Sequence, residues 1–350
     1  MPTAFEYDAL PGRIVFRDGA AWESLGDEVR GLGLKRLMVI ATERERALAD
    51  ELCRPFADLV VHVFGNVLPH VPSAVADDAR TAAAEHQVDG LLCVGGGSTT
   101  GTAKIIALAT GLPIIAVPTT YAGSEMTPVW GMTTDGRKET GRSLAVLPKV
   151  VIYDPQLVLT LPRELAVASA LNAMAHCVES LWTTQRNPMT TMVALEGVRA
   201  LTRGMLADDP QSSAAELLYG AYLAGASFAV AGSGLHHKIC HALGGAFDLP
   251  HAETHAVVLP HVLAFNASAI PDDLPALARA VGSDDAVDGL QAVYQAVGAP
   301  RTLSELGLSR AQLDEAVDIV TAKLPIANPR TVHKTDVAQI LTRAFGGDAA

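Results

Sequence analysis

Six of the chain's eleven histidines fall between residues 236 and 261. In LHHKICHALGGAFDLPHAETH, His237 and His241 are four apart, a spacing that puts both imidazoles on one helix face. Gly244 and Gly245 are expected to end that helix, with His251 following in the loop. Upstream, Asn172 and His176 have the same spacing in ALNAMAHCVE. Two pairs at helical spacing plus one loop imidazole is the layout of a metal site with ligands on two helices. A lone histidine in an apolar segment is ordinarily a hydrogen-bonded core residue, so the clustering carries the argument. His62, His70, His86, His255, His261 and His333 lack such a context and are expected to be structural or solvated.

A second group is VGGGSTTGTAKIIAL, residues 94–108, a strand running through three glycines into a helix. Glycine lets backbone N–H groups approach a pyrophosphate, and the helix N-terminus adds favourable partial positive charge. It is not the GxGxxG fingerprint and alone would be weak. The next strand ends in PTTYAGSEMT, residues 118–127, whose clustered hydroxyls suit a ligand crevice at a strand's carboxyl end.

The elements that must position these residues change type along the chain. From Leu34 to about Asp154, short β-branched runs (34–42, 59–65, 90–97, 112–120 and 148–155) alternate with helical stretches, one opening with Ser73 as a candidate cap. Alternation of this kind implies a parallel α/β sheet. Beyond about Leu161 long Ala/Leu-rich helical segments take over. The expectation is an α/β dinucleotide-binding domain at 1–155, an all-helical domain at 156–350 carrying the histidines, and a site in the cleft between them.

Composition narrows the partners. The 350 residues carry 26 Lys+Arg against 38 Asp+Glu, a net charge of −12 with no basic stripe, which argues against nucleic acid and anionic membranes. Cys53, Cys93, Cys177 and Cys240 are widely spaced without a CxxC, so they read as reduced thiols rather than a disulfide framework. The N-terminus carries acids where a secretory signal carries bases, and no uninterrupted apolar run approaches membrane-spanning length. A cytoplasmic protein is expected.

Together these motifs resemble the iron-dependent alcohol dehydrogenase family. The glycine turn, the PTT segment, Lys138 before the Asp154-Pro155 pair, the Asn172–His176 helix and the His237–His251 segment occur in the family's order over nearly the whole chain. The resemblance implies the dehydroquinate synthase-like architecture, an α/β dinucleotide-binding domain followed by an all-α domain. It places the family's four metal-ligand positions on Asn172, His176, His237 and His251, with His241 as an additional active-site histidine. Asn stands where the family has Asp, Gly101 stands where GGGSxxD ends in Asp, and PTTAGTGSE is shortened to PTTYAGSE. These departures resemble the maleylacetate reductase branch, in which the metal positions are vestigial and no metal is required.

What the resemblance implies is reduction of the conjugated double bond of maleylacetate to 3-oxoadipate with NADH or NADPH. His241 and His251 would supply the hydrogen-bond donor and the proton, with His237, His176 and Asn172 shaping the same pocket. Gly96, Gly97, Ser98 and Thr99 would hold the pyrophosphate; Thr119, Thr120, Thr127 and Lys138 would approach the ribose and nicotinamide; Glu43 would face the adenosine ribose. Lys238 and Tyr121 would contact the dicarboxylate substrate, with Arg142, Arg330 and Lys334 as further cations. A homodimer is implied, with RIVF (13–16) as a candidate intersubunit strand. The competing readings are a metal-dependent alcohol dehydrogenase or aldehyde reductase, a dehydroquinate synthase-like lyase, and a non-catalytic binding protein on the same fold.

Overall fold

The structure is a computed structural model that describes residues 4–69, 71–134 and 137–346. The chain divides into two compact units, one running from Ala9 to Leu161 and the other from Pro162 onward, the latter joined by the segment ending at Asp8. The division falls past the expected position after residue 155. Leu157 is part of the first unit's apolar core, and the Asp154 carboxylate accepts from Gly19 N at 3.1 Å and Ala21 N at 3.0 Å, so this turn belongs with what precedes it.

In the first unit, the strands are β1 (Arg13–Phe16), β2 (Leu37–Ile40), β3 (Val60–Phe64), β4 (Gly90–Gly95), β5 (Ile114–Pro118), β6 (Val129–Thr134), β7 (Arg137–Arg142) and β8 (Val150–Tyr153). Six form one parallel sheet in the order β1-β8-β5-β4-β2-β3. The four inner strands are buried at every position, which is why they read as unbroken apolar runs. RIVF is the edge strand β1, paired in register with β8 of the same chain. The β6–β7 hairpin was not anticipated, because RKETGR has no apolar period. Helices α1 (Ala20–Gly31), α2 (Arg46–Cys53), α3 (Ser73–Glu85) and α4 (Gly97–Thr110) complete the unit. Ser73 is the first residue of α3 rather than its cap, the cap position being taken by Pro72.

The second unit is helical: α5 (Arg163–Ser180), α6 (Pro188–Leu206), α7 (Pro210–Ala231), α8 (Leu235–Phe247) and α9 (His251–Asn266), then α10 (Leu274–Ala280), α11 (Ala286–Ala296), α12 (Leu313–Thr321) and α13 (Lys334–Phe345). Asn187 starts α6 with a capping box, its Oδ1 accepting from Met189 N and Thr190 N, and Pro188 fits the first turn, where no N–H partner is needed. By length and composition α7 is apolar enough to cross a bilayer, contrary to the sequence expectation; 61% of that stretch is buried inside the unit, where it packs on α5 and α6.

Helix α8 runs through Gly244 and Gly245 to Phe247 and ends at Asp248, which takes the left-handed conformation (φ 53°) and bonds back to Gly244 O. His251 is therefore the first residue of α9 and not a loop residue. Pro250 directs the chain into that helix, and Pro260 inside it hid the continuous run from a propensity reading. The histidines consequently sit on three helices, since α5 and α8 both pack against α9.

Candidate active site

The glycine turn joins β4 to α4. Gly95 has φ +150°, and a methyl group on it would come 2.5 Å from Thr99 Oγ1; one on Gly96 would lie 3.0 Å from Thr120 Cγ2. A side chain is strained at Gly95 and tight against Thr120 at Gly96, so the PTT segment closes directly over the turn. Gly96 caps α4 without a side-chain bond, and the first intrahelical bond runs from Thr100 N to Gly96 O at 3.1 Å. The N–H groups of Gly97, Ser98 and Thr99 are thus left for an anion at a helix N-terminus, which fits a cofactor pyrophosphate.

Sequence reasoning missed the residue that holds this region together. Lys104, on α4 and 1% exposed, donates from Nζ to Ser124 O (2.6 Å), Thr127 O (2.7 Å), Thr127 Oγ1 (3.0 Å) and Val129 O (2.8 Å). Burial pulls its pKa down to about 7, with the Glu125 carboxylate opposing. Glu125 is itself buried and accepts from Tyr153 Oη at 2.7 Å; burial raises its pKa. The signal was a lysine in the apolar run TAKIIAL. Thr127 serves this staple, its hydroxyl donating to Ser124 O. Thr119 and Tyr121 are buried in the same segment, and burial lifts the Tyr121 phenol to about 12. Glu43 is exposed in the turn after β2. Lys138 stands opposite Thr133 in the hairpin; its side chain lies outside the described residues, as does His70.

In the helical unit the imidazoles grade from core to solvent. His236, His237 and His255 are buried, Asn172 and His176 half-buried, and His241 and His251 exposed. The His237 ring lies 5.2 Å from that of His176 and 5.8 Å from that of His241, and His251 lies 5.9 Å from His241. The structure therefore brings together the predicted Asn172, His176, His237, His241 and His251. It adds three residues that were not predicted. Glu179, one helical turn beyond His176, bonds His237 Nδ1 and receives His237 N at 3.4 Å, so it orients that ring from the start of α8. His236 Nε2 and His255 Nδ1 share a 2.9 Å hydrogen bond, so His255 is at the centre of the group rather than a bystander. Its spacing of four from His251 was the available signal.

Burial dominates the electrostatics here. It lowers His236 and His237 to about 3, with Glu179 opposing at His236, and takes His176 and His255 well below the usual imidazole range. It raises the Glu179 carboxyl, against the pull of His236 and backbone N–H groups of α8. These imidazoles are neutral at pH 7. Among the described residues, four buried atoms of this group have no hydrogen-bond partner: Asn172 Oδ1, His176 Nδ1, His237 Nε2 and His255 Nε2. The group is built to meet something polar.

Among the described residues, His236, His237 and His255 have ligand atoms that all lie within 4.8 Å of one another and could hold a metal ion, and of these only His237 is at one of the family's ligand positions. His236 and His255 spend one nitrogen each on the other. The first ligand position is a neutral amide, and the nearby carboxylate, Glu179, sits behind His237.

Lys238 is exposed on α8 beside Lys323, whose pKa is lowered by burial and then by Lys238. Lys334 pairs with Asp318 at 2.6 Å and Arg330 lies 4.1 Å over the Phe265 ring, so these two are committed elsewhere. Arg142 ends β7. The four cysteines are free and buried.

Two family models match the chain, "Iron-containing alcohol dehydrogenase" over residues 11–155 and "Fe-containing alcohol dehydrogenase family, C-terminal" over residues 166–345. The maleylacetate reductase of Sphingobium indicum is 42% identical over 347 residues, covering 98% of each chain. Among solved structures, an iron-containing alcohol dehydrogenase from Corynebacterium glutamicum is 47% identical with a TM-score of 0.94, covering 100% of this chain and 99% of its own. The maleylacetate reductase of Agrobacterium tumefaciens is 42% identical, also at 0.94, covering 99% of each chain.

Proposed function

This chain belongs to the iron-containing alcohol dehydrogenase family, and from that premise we propose that it reduces the conjugated double bond of maleylacetate with NADH or NADPH, without a bound metal. The observation that carries the reading is the set of neutral, buried imidazoles with unpartnered nitrogens beside Asn172, a neutral amide where a metal-dependent relative has an anionic ligand.

When bound, the nicotinamide supplies a hydride to the alkene carbon β to the substrate ketone. The first unit holds the cofactor pyrophosphate on the N–H groups of Gly97, Ser98 and Thr99. The Thr119–Thr120 segment flanks it, and Thr127 and Lys104 fix that segment. Glu43 accepts from the adenosine ribose; Arg46 is held by Asp50 at 3.0 Å, and both cofactors remain candidates. Hydride addition turns the ketone into an enolate, whose negative oxygen needs hydrogen-bond donors and whose α-carbon needs a proton. Neutral imidazole N–H groups meet the first demand in place of a Lewis acid. His241 and His251, exposed and in ring contact, supply the donor and the proton, with His176, His237 and Asn172 shaping the pocket. Lys238, with Lys323 beside it, receives a substrate carboxylate, and Tyr121 faces the substrate. The enzyme works as a cytoplasmic homodimer.

The metal-dependent alcohol dehydrogenase remains the second reading, because Glu179 behind His237 is the carboxylate–imidazole arrangement that backs metal ligands. One assay separates the two: NADH and NADPH oxidation with maleylacetate and with simple aldehydes, each with and without chelator. The proposal expects chelator-insensitive turnover of maleylacetate; activity lost together with stoichiometric iron or zinc would favour the second reading. His241→Ala and His251→Ala should each lower turnover by roughly a hundredfold, the weight of one donor to a developing oxyanion. Near-wild-type rates in both would remove that assignment.

A further inference from the structure

Neither the family's ligand positions nor the mechanism above uses His255, yet it is the hub of the cluster. It is fully buried on α9, with ring centroids 4.5 Å from His251, 4.6 Å from His237, 4.8 Å from His236 and 6.3 Å from His241. Its two nitrogens differ. Nδ1 is 2.9 Å from His236 Nε2, whereas Nε2 is buried without any hydrogen-bond partner. A buried unpaired ring nitrogen is destabilising unless something arrives to bond it.

A neutral imidazole has one N–H, so the His236–His255 bond couples the two rings' tautomers. If His255 Nδ1–H donates to His236, His255 Nε2 is left with a lone pair. If His236 Nε2–H donates to His255 Nδ1, the N–H of His255 must be at Nε2. Both arrangements are neutral, and an arriving anionic oxygen favours the second by bonding only to it. The dyad is thus a hydrogen-bond donor whose proton position is set by the group it meets. A neutral histidine kept from ionising is an effective electrophile for a substrate oxygen.

We propose that His255 is a further catalytic residue: with Nδ1 accepting from His236, its Nε2–H donates to the substrate oxygen that becomes negative when the conjugated double bond is reduced. His236 is its positioning residue. No proton leaves the dyad in this step, which provides hydrogen-bond stabilisation only, and the proposal rests on the maleylacetate reading of the same site.

The test is steady-state kinetics on maleylacetate, with NADH affinity measured separately by fluorescence. His255→Leu removes the donor at similar size and should lower kcat about a hundredfold. His255→Gln keeps an amide N–H that reaches the same place and should recover most of that, to within about tenfold of wild type. His236→Leu frees the tautomer and should give an intermediate loss, and NADH affinity should move less than twofold in all three. Equal kcat for the Leu and Gln variants, or a Leu variant within threefold of wild type, overturns the proposal. Should His255→Leu fail to fold by circular dichroism, His255→Asn replaces it: its shorter amide falls short of the Nε2 position, so Gln well above Asn supports the role and Gln equal to Asn overturns it. A wild-type protein inactive on maleylacetate would instead sink the parent reading.

Discussion

Each unit buries a polar network beside its candidate site, and the two are finished to different degrees. In the α/β unit, Lys104 meets four acceptors and Glu125 meets Tyr153, so the network is closed by the chain's own groups. In the helical unit, Asn172, His176, His237 and His255 each retain an unmatched buried atom. A closed network fixes a backbone, here the segment that lies over the glycine turn. An open one has donors and acceptors to spend on a ligand, and it carries the cost of leaving them unspent. The contrast separates a positioning device from a reacting one without reference to either unit's relatives.

The largest break in this contrast should come from Lys104→Met. It takes the donor from three carbonyls and Thr127 Oγ1 and removes the charge beside Glu125, so urea unfolding should show a loss of about 3–5 kcal/mol, while a residue in an open network would cost far less. An unfolding midpoint equal to that of wild type would mean the staple is ornamental.

Acid should then find the other network. His176, His236, His237 and His255 have folded pKa values below that of the unfolded chain, so they are neutral when folded and take up protons on unfolding below about pH 6.5. The sign is a stability fully present above that pH and lost as pH falls toward the folded values. Each contributes about 1 kcal/mol of loss between pH 6.5 and 5.5. Thermal unfolding across that window checks it, and a ligand that closes the network should shrink the loss.

Gly95→Ala should cost about 1–3 kcal/mol by forcing a side chain into φ +150° and against Thr99. It should also weaken NADH binding in fluorescence titration, whereas a purely structural cost would leave affinity unchanged. Smallest is Lys238→Met, which should raise KM for maleylacetate about two- to fivefold with kcat unmoved, the weight of an exposed ion pair. An unchanged KM would remove Lys238 from the substrate contacts.

How much could be read from the residues follows the same division. The inner strands were legible because a strand buried on both faces is apolar without interruption, as in GLLCVG and IIAVP. The glycine turn and the i, i+4 histidines were legible because backbone approach and helix spacing leave a local mark. Lys104 and His255 left only faint marks, a lysine in an apolar run and a spacing of four from His251, and Glu179 left none. Their partners are carbonyls, backbone N–H groups and rings that only the folded chain brings near: Glu179 meets His237 across 58 residues of sequence, and Lys104 meets Val129 across 25. The continuation of α8 through two glycines was equally hidden, because its end is set by the backbone of Asp248.

The edge strand β1 bears on synthesis rather than catalysis. It emerges first from the ribosome, yet its partner is β8, and Gly19 and Ala21 are held by Asp154. Residues 13–16 must therefore wait, their pairing edge unsatisfied, until residues 150–153 have been made. Closing so long a loop is slow, and the waiting strand is open to wrong partners in the meantime. In the folded sheet only Val15 of the four is buried, with Ile14 half-buried and Arg13 and Phe16 exposed, so until β8 arrives the segment carries the apolar run Ile14-Val15-Phe16 unpaired.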